Sequence, residues 1–292
     1  THGQLGLGSS PSSATSPTLV ALGSEVPTGS DASVISASLG DSHTCAVVSD
    51  GTVYCWGANG EGQLGIGTNV DSENIPVSVS LGDMRAVSIS SGGNHACALL
   101  EDGSVRCWGS GDDGQLGNGE EGTNADEWSP SEVEFGSGRT VTSMDAGWNH
   151  NCALLDNGSV SCWGENNNGQ LGLGDYDDRS TPTWVGGLSS NGHSTTSLSL
   201  GDSHTCALHD DGSANCWGEG SNGRLGDGSS SDTPYSTSAD VSFSNWPDGH
   251  DTALIDASER DLDGDGTLNL FDGHERGGQE GSALVSTKIS SG

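Results

Sequence analysis

The sequence predicts an all-β protein: a β-propeller of four-stranded blades, with four full repeats plus partial ones, forming an incomplete ring. Three observations lead there. The stretch His43-Thr-Cys-Ala-Val-Val-Ser-Asp-Gly-Thr-Val-Tyr-Cys-Trp-Gly57 returns around His95, His150 and His204 with its special residues in the same places. The turn Gly62-Gln-Leu-Gly65 has counterparts beginning at Gly3, Gly114, Gly169 and Gly223, at intervals of 52 to 59 residues. Short runs bounded by Gly, Pro and Asp fill each interval. Constant strands joined by loops that tolerate insertion produce such an uneven period, and a unit that recurs this often is an architecture rather than a local motif.

Each element can be justified in turn. A unit is expected to open with a strand led by proline, at residues 17–20, 76–79, 130–133 and 182–185, because a proline at a strand's start breaks no interior ladder bond. A second strand alternates small polar and apolar residues, as at 86–90 and 196–200. The third and fourth strands are the arms of a hairpin. Its cysteines are ten apart: Cys45/Cys55, Cys97/Cys107, Cys152/Cys162 and Cys206/Cys216. Facing residues in a hairpin share a constant index sum, so the centres fall at Asp50, Asp102, Asn157 and Asp211. That leaves a three-residue loop closing on a left-handed Gly51, Gly103, Gly158 or Gly212. The full repeats run over about 34–67, 86–119, 141–174 and 195–228, within a propeller segment at residues 1–240.

Composition excludes several functions. Only 30% of the 292 residues are hydrophobic and 48 are glycine. No apolar run approaches the roughly 20 residues that span a membrane. A disordered chain could share that composition, but it would not hold Trp and Cys at fixed intervals. Lys and Arg number 8 against 41 Asp and Glu, a net charge of -33. Nucleic acid and anionic lipid need clustered cations, so neither a nucleic-acid partner nor membrane insertion is expected. The acidity fits calcium binding, a saline setting or a cationic partner. The chain begins with Thr1 in what reads as the end of a repeat, and it is expected to start inside a longer protein.

The recurrent polar residues read as framework. All 8 cysteines lie in the hairpins, which fits four disulfides in an oxidising compartment, with buried free thiols as the alternative. The tryptophans Trp56, Trp108, Trp163 and Trp217 follow the second cysteine, so strand alternation sends them to the opposite face, where a neighbouring blade would stack. The histidines His43, His95, His150 and His204 occupy one equivalent place per blade. An active site needs different residues converging once, so these are expected to tie each strand entrance to backbone. No Ser–His–Asp set or carboxylate pair stands out, and the glycine turns lack the Lys and Ser/Thr of a phosphate loop.

The combination Gly-x-x-His-x-Cys-Ala-Leu, Asp-Gly-x-Val-x-Cys-Trp-Gly and Gly-Gln-Leu-Gly, recurring over residues 1–228, resembles the regulator of chromosome condensation family of propellers. The resemblance implies a ring that usually has seven blades. It also implies, as one functional alternative, nucleotide exchange on a small GTPase combined with chromatin binding.

Beyond Gly228 the pattern decays. Thr233-Pro-Tyr235 and His250-Asp-Thr-Ala-Leu254 keep its outline, the latter in a degenerate repeat start at 241–256. Residues 257–292 then hold a different motif and a Gly- and Ser-rich tail. Asp261, Asp263 and Asp265 stand at loop positions 1, 3 and 5, with Gly266 at 6, the Thr267 carbonyl at 7, Asn269 at 9 and Asp272 at 12. Calcium takes six to eight oxygens around a sharp turn, and this spacing supplies them. The segment is similar to the calcium loops of dockerins, although Asp272 replaces the usual bidentate Glu.

These features together describe a non-enzymatic extracellular or cell-surface interaction scaffold with calcium as its cofactor. Its partner is a protein, cationic or calcium-bridged, met by the variable loops at 69–73, 120–127 and 175–179. A third possibility is the recognition part of a larger secreted enzyme.

Overall fold

Alternating short strands with glycine turns have one stable outlet, antiparallel meanders that bury both faces against neighbours. The computed structural model describes residues 2–8, 13–16, 18–22, 33–136, 138–188, 193–228 and 234–241, and shows four four-stranded sheets. The first blade comprises β1 (Val34–Leu39), β2 (His43–Val48), β3 (Val53–Ala58) and β4 (Ser72–Val79). The second comprises β5 (Ala86–Ser91), β6 (His95–Leu100), β7 (Val105–Gly109) and β8 (Glu127–Glu132). The third comprises β9 (Val141–Ala146), β10 (His150–Leu155), β11 (Val160–Gly164) and β12 (Arg179–Trp184). The fourth comprises β13 (Thr195–Leu200), β14 (His204–His209), β15 (Ala214–Gly218) and β16 (Tyr235–Asp240). Strands follow chain order in every sheet, and among the described residues strand pairing does not close a ring.

The hairpin register is the expected one. Cys45 faces Cys55, Cys97 faces Cys107, Cys152 faces Cys162 and Cys206 faces Cys216. Disulfides join all four pairs, with Cα atoms 4.1 to 4.2 Å apart, the close spacing of a non-hydrogen-bonded pair. Val48 N–H donates to Thr52 O at 3.0 Å, and Gly51 closes the loop at φ +85°. Only glycine adopts that conformation without strain.

The proline strand corrects the sequence reading. It completes the blade that precedes it instead of opening the next, because β4 pairs with β3. Pro76, Pro130 and Pro182 lie inside β4, β8 and β12, at the register shifts between Cys55/Gly57, Cys107/Gly109 and Cys162/Gly164. On an outer strand at a break in pairing, the missing N–H is asked for no ladder bond. Pro234 instead stands just before β16, the fourth blade's outer strand. Thr18 to Val20, expected as a strand, is not one; Val20 and Leu22 pack against Ala46, Val48, Tyr54 and Trp56.

The cores lie between blades. Cys45, Val47, Val53 and Cys55 from the first blade meet Ala96, Ala98, Leu100 and Trp108 from the second. Cys97, Leu99, Val105 and Cys107 in turn meet Ala153, Leu155 and Trp163 of the third. Each blade therefore shows its disulfide to the next blade and its tryptophan to the previous one, as strand alternation requires. Among the described residues no helix is long and apolar enough to cross a membrane.

The hairpin disulfides give a direct test. Unfolded in denaturant without reductant, the chain should yield no titratable thiol, and 8 after reduction. Eight thiols before reduction would contradict the pairing.

Candidate functional site

The recurrent residues meet at the joints between blades. Gln63, Gln115 and Gln170 are buried, and each side-chain oxygen accepts a backbone N–H of its own turn at 2.9 Å, from Glu61, Asp113 and Asn168. That fixes the glutamine's backbone carbonyl to face the following blade. There Trp108 Nε1 donates to Gln63 O at 3.1 Å, Trp163 to Gln115 O at 3.0 Å and Trp217 to Gln170 O at 2.8 Å. Trp56 makes the same bond to Gln4 O at 2.9 Å. The glycine ending each turn lies against the indole: a Cβ on Gly65 would stand 2.7 Å from the Trp108 ring. Its φ of +67° also excludes a side chain at that point.

A carbonyl has two lone pairs, and most of these use both. Thr44 Oγ1 reaches Gln4 O at 3.1 Å, Asn151 Nδ2 reaches Gln115 O at 2.8 Å and Thr205 Oγ1 reaches Gln170 O at 2.9 Å. The same side chains receive the histidine of the previous blade. His95 Nε2 lies 3.0 Å from Asn151 Oδ1 and His150 Nε2 lies 2.9 Å from Thr205 Oγ1. Asn151 Oδ1 can only accept, and Thr205 already donates to Gln170 O. The network therefore assigns the proton to Nε2 of each neutral imidazole.

This corrects the expected role of the histidines. His95 and His150 do not tie a strand entrance to backbone; they tie one blade to the next through a side-chain relay. Burial drives His43 and His95 down to a pKa of about 4 and His150 to about 3. Burial also lowers His204. The relay is interrupted once. Ala96 stands where Asn151 and Thr205 do in later blades, so the next blade offers His43 no side-chain acceptor.

A third contact joins the inner strands. Ser38 Oγ accepts the Ser91 N–H at 2.9 Å, Ser90 Oγ the Ala146 N–H at 3.0 Å and Asp145 Oδ2 the Leu200 N–H at 2.9 Å. Asp145 also accepts from Ser90 Oγ at 3.1 Å. Desolvation raises its pKa, while those bonds oppose the rise.

The variable loops are more tightly stitched than expected. Asn59 Nδ2 donates to Thr68 O and Val70 O at 2.9 and 3.0 Å, and its Oδ1 accepts from Leu64 N–H at 3.0 Å. Asn166 repeats this with Asp175 and Leu171. Arg179 clasps Asp175 at 2.6 Å. Glu73, Glu127 and Arg179, expected in loops, belong to strands β4, β8 and β12. Carboxylates nonetheless gather across blades. Asp113 accepts from Asn149 Nδ2 at 2.9 Å. Partial burial and the charges of Glu165, Asp178 and Asp112 push its pKa up to about 6. Burial together with Asp126 and Asp112 likewise raises Glu61.

Sequence reasoning missed Asn59 and Asn166, the Asn151/Thr205 position and the Ser90/Asp145 position. The signal existed: each recurs at a fixed offset from the conserved-looking Trp or His of its own repeat. The calcium ligands Asp261, Asp263, Asp265, Thr267, Asn269 and Asp272 lie outside the described residues.

Blades locked in series through a turn-to-tryptophan contact define a repeat propeller. The RCC1-like domain family matches residues 1–258, and the chain belongs to that family. The probable E3 ubiquitin-protein ligase HERC6 of Homo sapiens is 36% identical over 192 residues, 64% of this chain and 18% of that protein. The ultraviolet-B receptor UVR8 of Arabidopsis thaliana is 34% identical over 193 residues, 66% of this chain and 43% of that protein. The chain thus spans less than half the length of either relative. Human WBSCR16 superposes with a TM-score of 0.65 at 26% identity, over 74% of this chain and 56% of its own. Prp20p of Saccharomyces cerevisiae gives 0.63 at 23% identity, over 74% and 52%, a likeness of fold.

Two outcomes test the joints. Ala96→Thr supplies the missing acceptor for His43 and a second donor for Gln63 O. It should stabilise the protein by about 1 kcal/mol, read as a raised melting temperature; an unchanged or lowered one would show that the relay does not extend to this joint. The histidines also set an acid response. Unfolded, they take up protons near 6.5, whereas folded they wait until about 4 or 3. The unfolded state therefore binds more protons in that window, so their stabilisation is complete above pH 6.5 and lost as pH falls toward 4. Melting temperature should drop across that range, and less steeply in His150→Gln; equal slopes would refute the assignment.

Proposed function

We propose that this chain is a non-catalytic protein-interaction scaffold, acting outside the cell or at its surface. It offers an acidic loop surface to a cationic or calcium-bridged partner. One observation carries the reading. The recurrent Trp, Gln, Cys and His side chains serve the hairpins and blade joints, while the loops bring carboxylates of neighbouring blades together: partial burial first, and then the charges of Glu165, Asp178 and Asp112, push Asp113 up to about 6. Carboxylates that repel one another across neighbouring blades are relieved by a cation, and a rigid repeat frame holds them in place for one.

The four disulfides support an oxidising setting. The spacing from Asp261 to Asp272 supports a calcium loop whose six oxygens would come from Asp261, Asp263, Asp265, Thr267, Asn269 and Asp272. Related propellers take part in protein contacts: yeast Prp20 is bound by Kap60, and Prp20p has binding properties toward Gsp1p and histones. Fold likeness alone does not transfer those partners.

The test is binding of a lysine-rich peptide to the intact chain. Affinity should fall steeply as salt rises from about 0.05 to 0.5 M, and should weaken in Asp113→Asn and Glu165→Gln. Binding indifferent to both salt and substitution would defeat the proposal, and stimulated nucleotide release from a small GTPase would favour the exchange-factor alternative. Calcium calorimetry on the wild type and Asp261→Ala tests the loop, with heat expected from the first only; matching traces would remove calcium from the reading.

A further inference from the structure

The hairpin turn of the fourth blade is built differently from the other three. All four turns centre on an Asp or Asn. Oδ1 of Asp50, Asp102, Asn157 and Asp211 accepts the backbone N–H two residues on, at 2.9 to 3.1 Å. The preceding residue also has a fixed place: Ser49, Glu101, Asp156 and Asp210 each donate their N–H to the residue just ahead of their blade's first strand. In the third blade this rim is completed by an exposed ion pair, Arg139 to Asp156 at 3.5 Å. The same two places in the fourth blade hold His193 and Asp210.

His193 meets two carboxylates there. Its Nδ1 lies 3.0 Å from Asp210 Oδ1 and its Nε2 3.4 Å from Asp211 Oδ2. The three residues bring ligand atoms within 4.8 Å of one another. Below them the blade is polar where the others are apolar. Buried His209 replaces Val48, Leu100 and Leu155, with Nε2 2.8 Å from Asn215 Oδ1 and Nδ1 3.4 Å from Thr195 Oγ1. Asn215 passes the chain to Asp240 at 2.7 Å.

We propose that His193, Asp210 and Asp211 form a binding site for a transition-metal ion such as Zn²⁺, separate from the calcium loop. One imidazole nitrogen and two carboxylates are three ligands of a tetrahedral zinc site, with the fourth position left to water or a partner's side chain. The nitrogen ligand selects zinc over calcium or magnesium, which take oxygen. Metal–ligand distances of about 2.0–2.2 Å require the imidazole to turn so that one nitrogen and both carboxylates face the ion. These side chains are 34% to 49% exposed, so packing does not oppose the turn. The guanidinium of Arg139 has no lone pair, which denies the third blade the same chemistry.

The third blade also supplies the variants that separate a metal site from an imidazole–carboxylate ion pair. His193→Arg recreates the Arg139–Asp156 pair and removes the lone pair. Asp211→Asn recreates Asn157, whose turn is intact. Zinc titrations on the full chain without an affinity tag, in excess calcium, should show one zinc per wild-type chain and a zinc-induced rise in melting temperature. His193→Arg should lose both effects. Asp211→Asn should bind about tenfold more weakly or worse, one of two anionic ligands being gone. Zinc binding unchanged in His193→Arg, or none in the wild type, would overturn the proposal and leave the triad an ion pair only.

Discussion

The indole of one blade donating to the glutamine carbonyl of the turn before it is the contact on which the rest of the structure depends. A four-stranded sheet of such short strands buries too little to stand alone, so each blade must be fastened to the next. The Gly-Gln-Leu-Gly turn does this with four residues. The closing glycine admits the backbone to the tryptophan ring and the opening one to the backbone of the next blade's outer strand, the leucine fills the inter-blade core, the glutamine side chain holds the turn in shape, and its carbonyl accepts across the gap. Removing any of the four loosens the same contact.

The other joints are consequences of that placement. Once the carbonyl is aimed at the next blade, its second lone pair draws a donor from the residue beside the entering histidine, Asn151 or Thr205. That residue in turn receives the previous blade's imidazole, which must be neutral and Nε2-protonated. Burial enforces the neutrality, since a charged imidazole deep in the stack would lack a counter-ion. A histidine that looks catalytic in a linear motif is thus held in a state suited to structure.

With the repeated chemistry turned inward, what distinguishes this propeller lies in departures from the repeat. The loops carry most of the charge, and their Asn59 and Asn166 anchors keep carboxylates of adjacent blades close despite repulsion. The fourth blade departs further, exchanging buried leucine for His209 and a guanidinium for His193 at its outer turn. Such departures cost some packing or self-repulsion, and violations of this kind are expected chiefly at functional sites.

The sequence by itself determined the hairpins, their three-residue turns, which cysteines face each other and the opposite faces of sulfur and indole. Each follows from strand alternation and turn length over fewer than twenty residues. It assigned the proline strand to the blade that follows instead of the one it completes, since Pro76 lies between the two in the chain and only the pairing of β4 with β3 decides. The partners of His95, Asn151 and Gln115 lay more than thirty residues away, on other blades. Only the tertiary structure could decide them, because blade stacking, not spacing along the chain, brings a histidine to the amide of the next repeat. The same holds for His193, unremarkable in the chain until the hairpin turn carries Asp210 and Asp211 to either side of its ring.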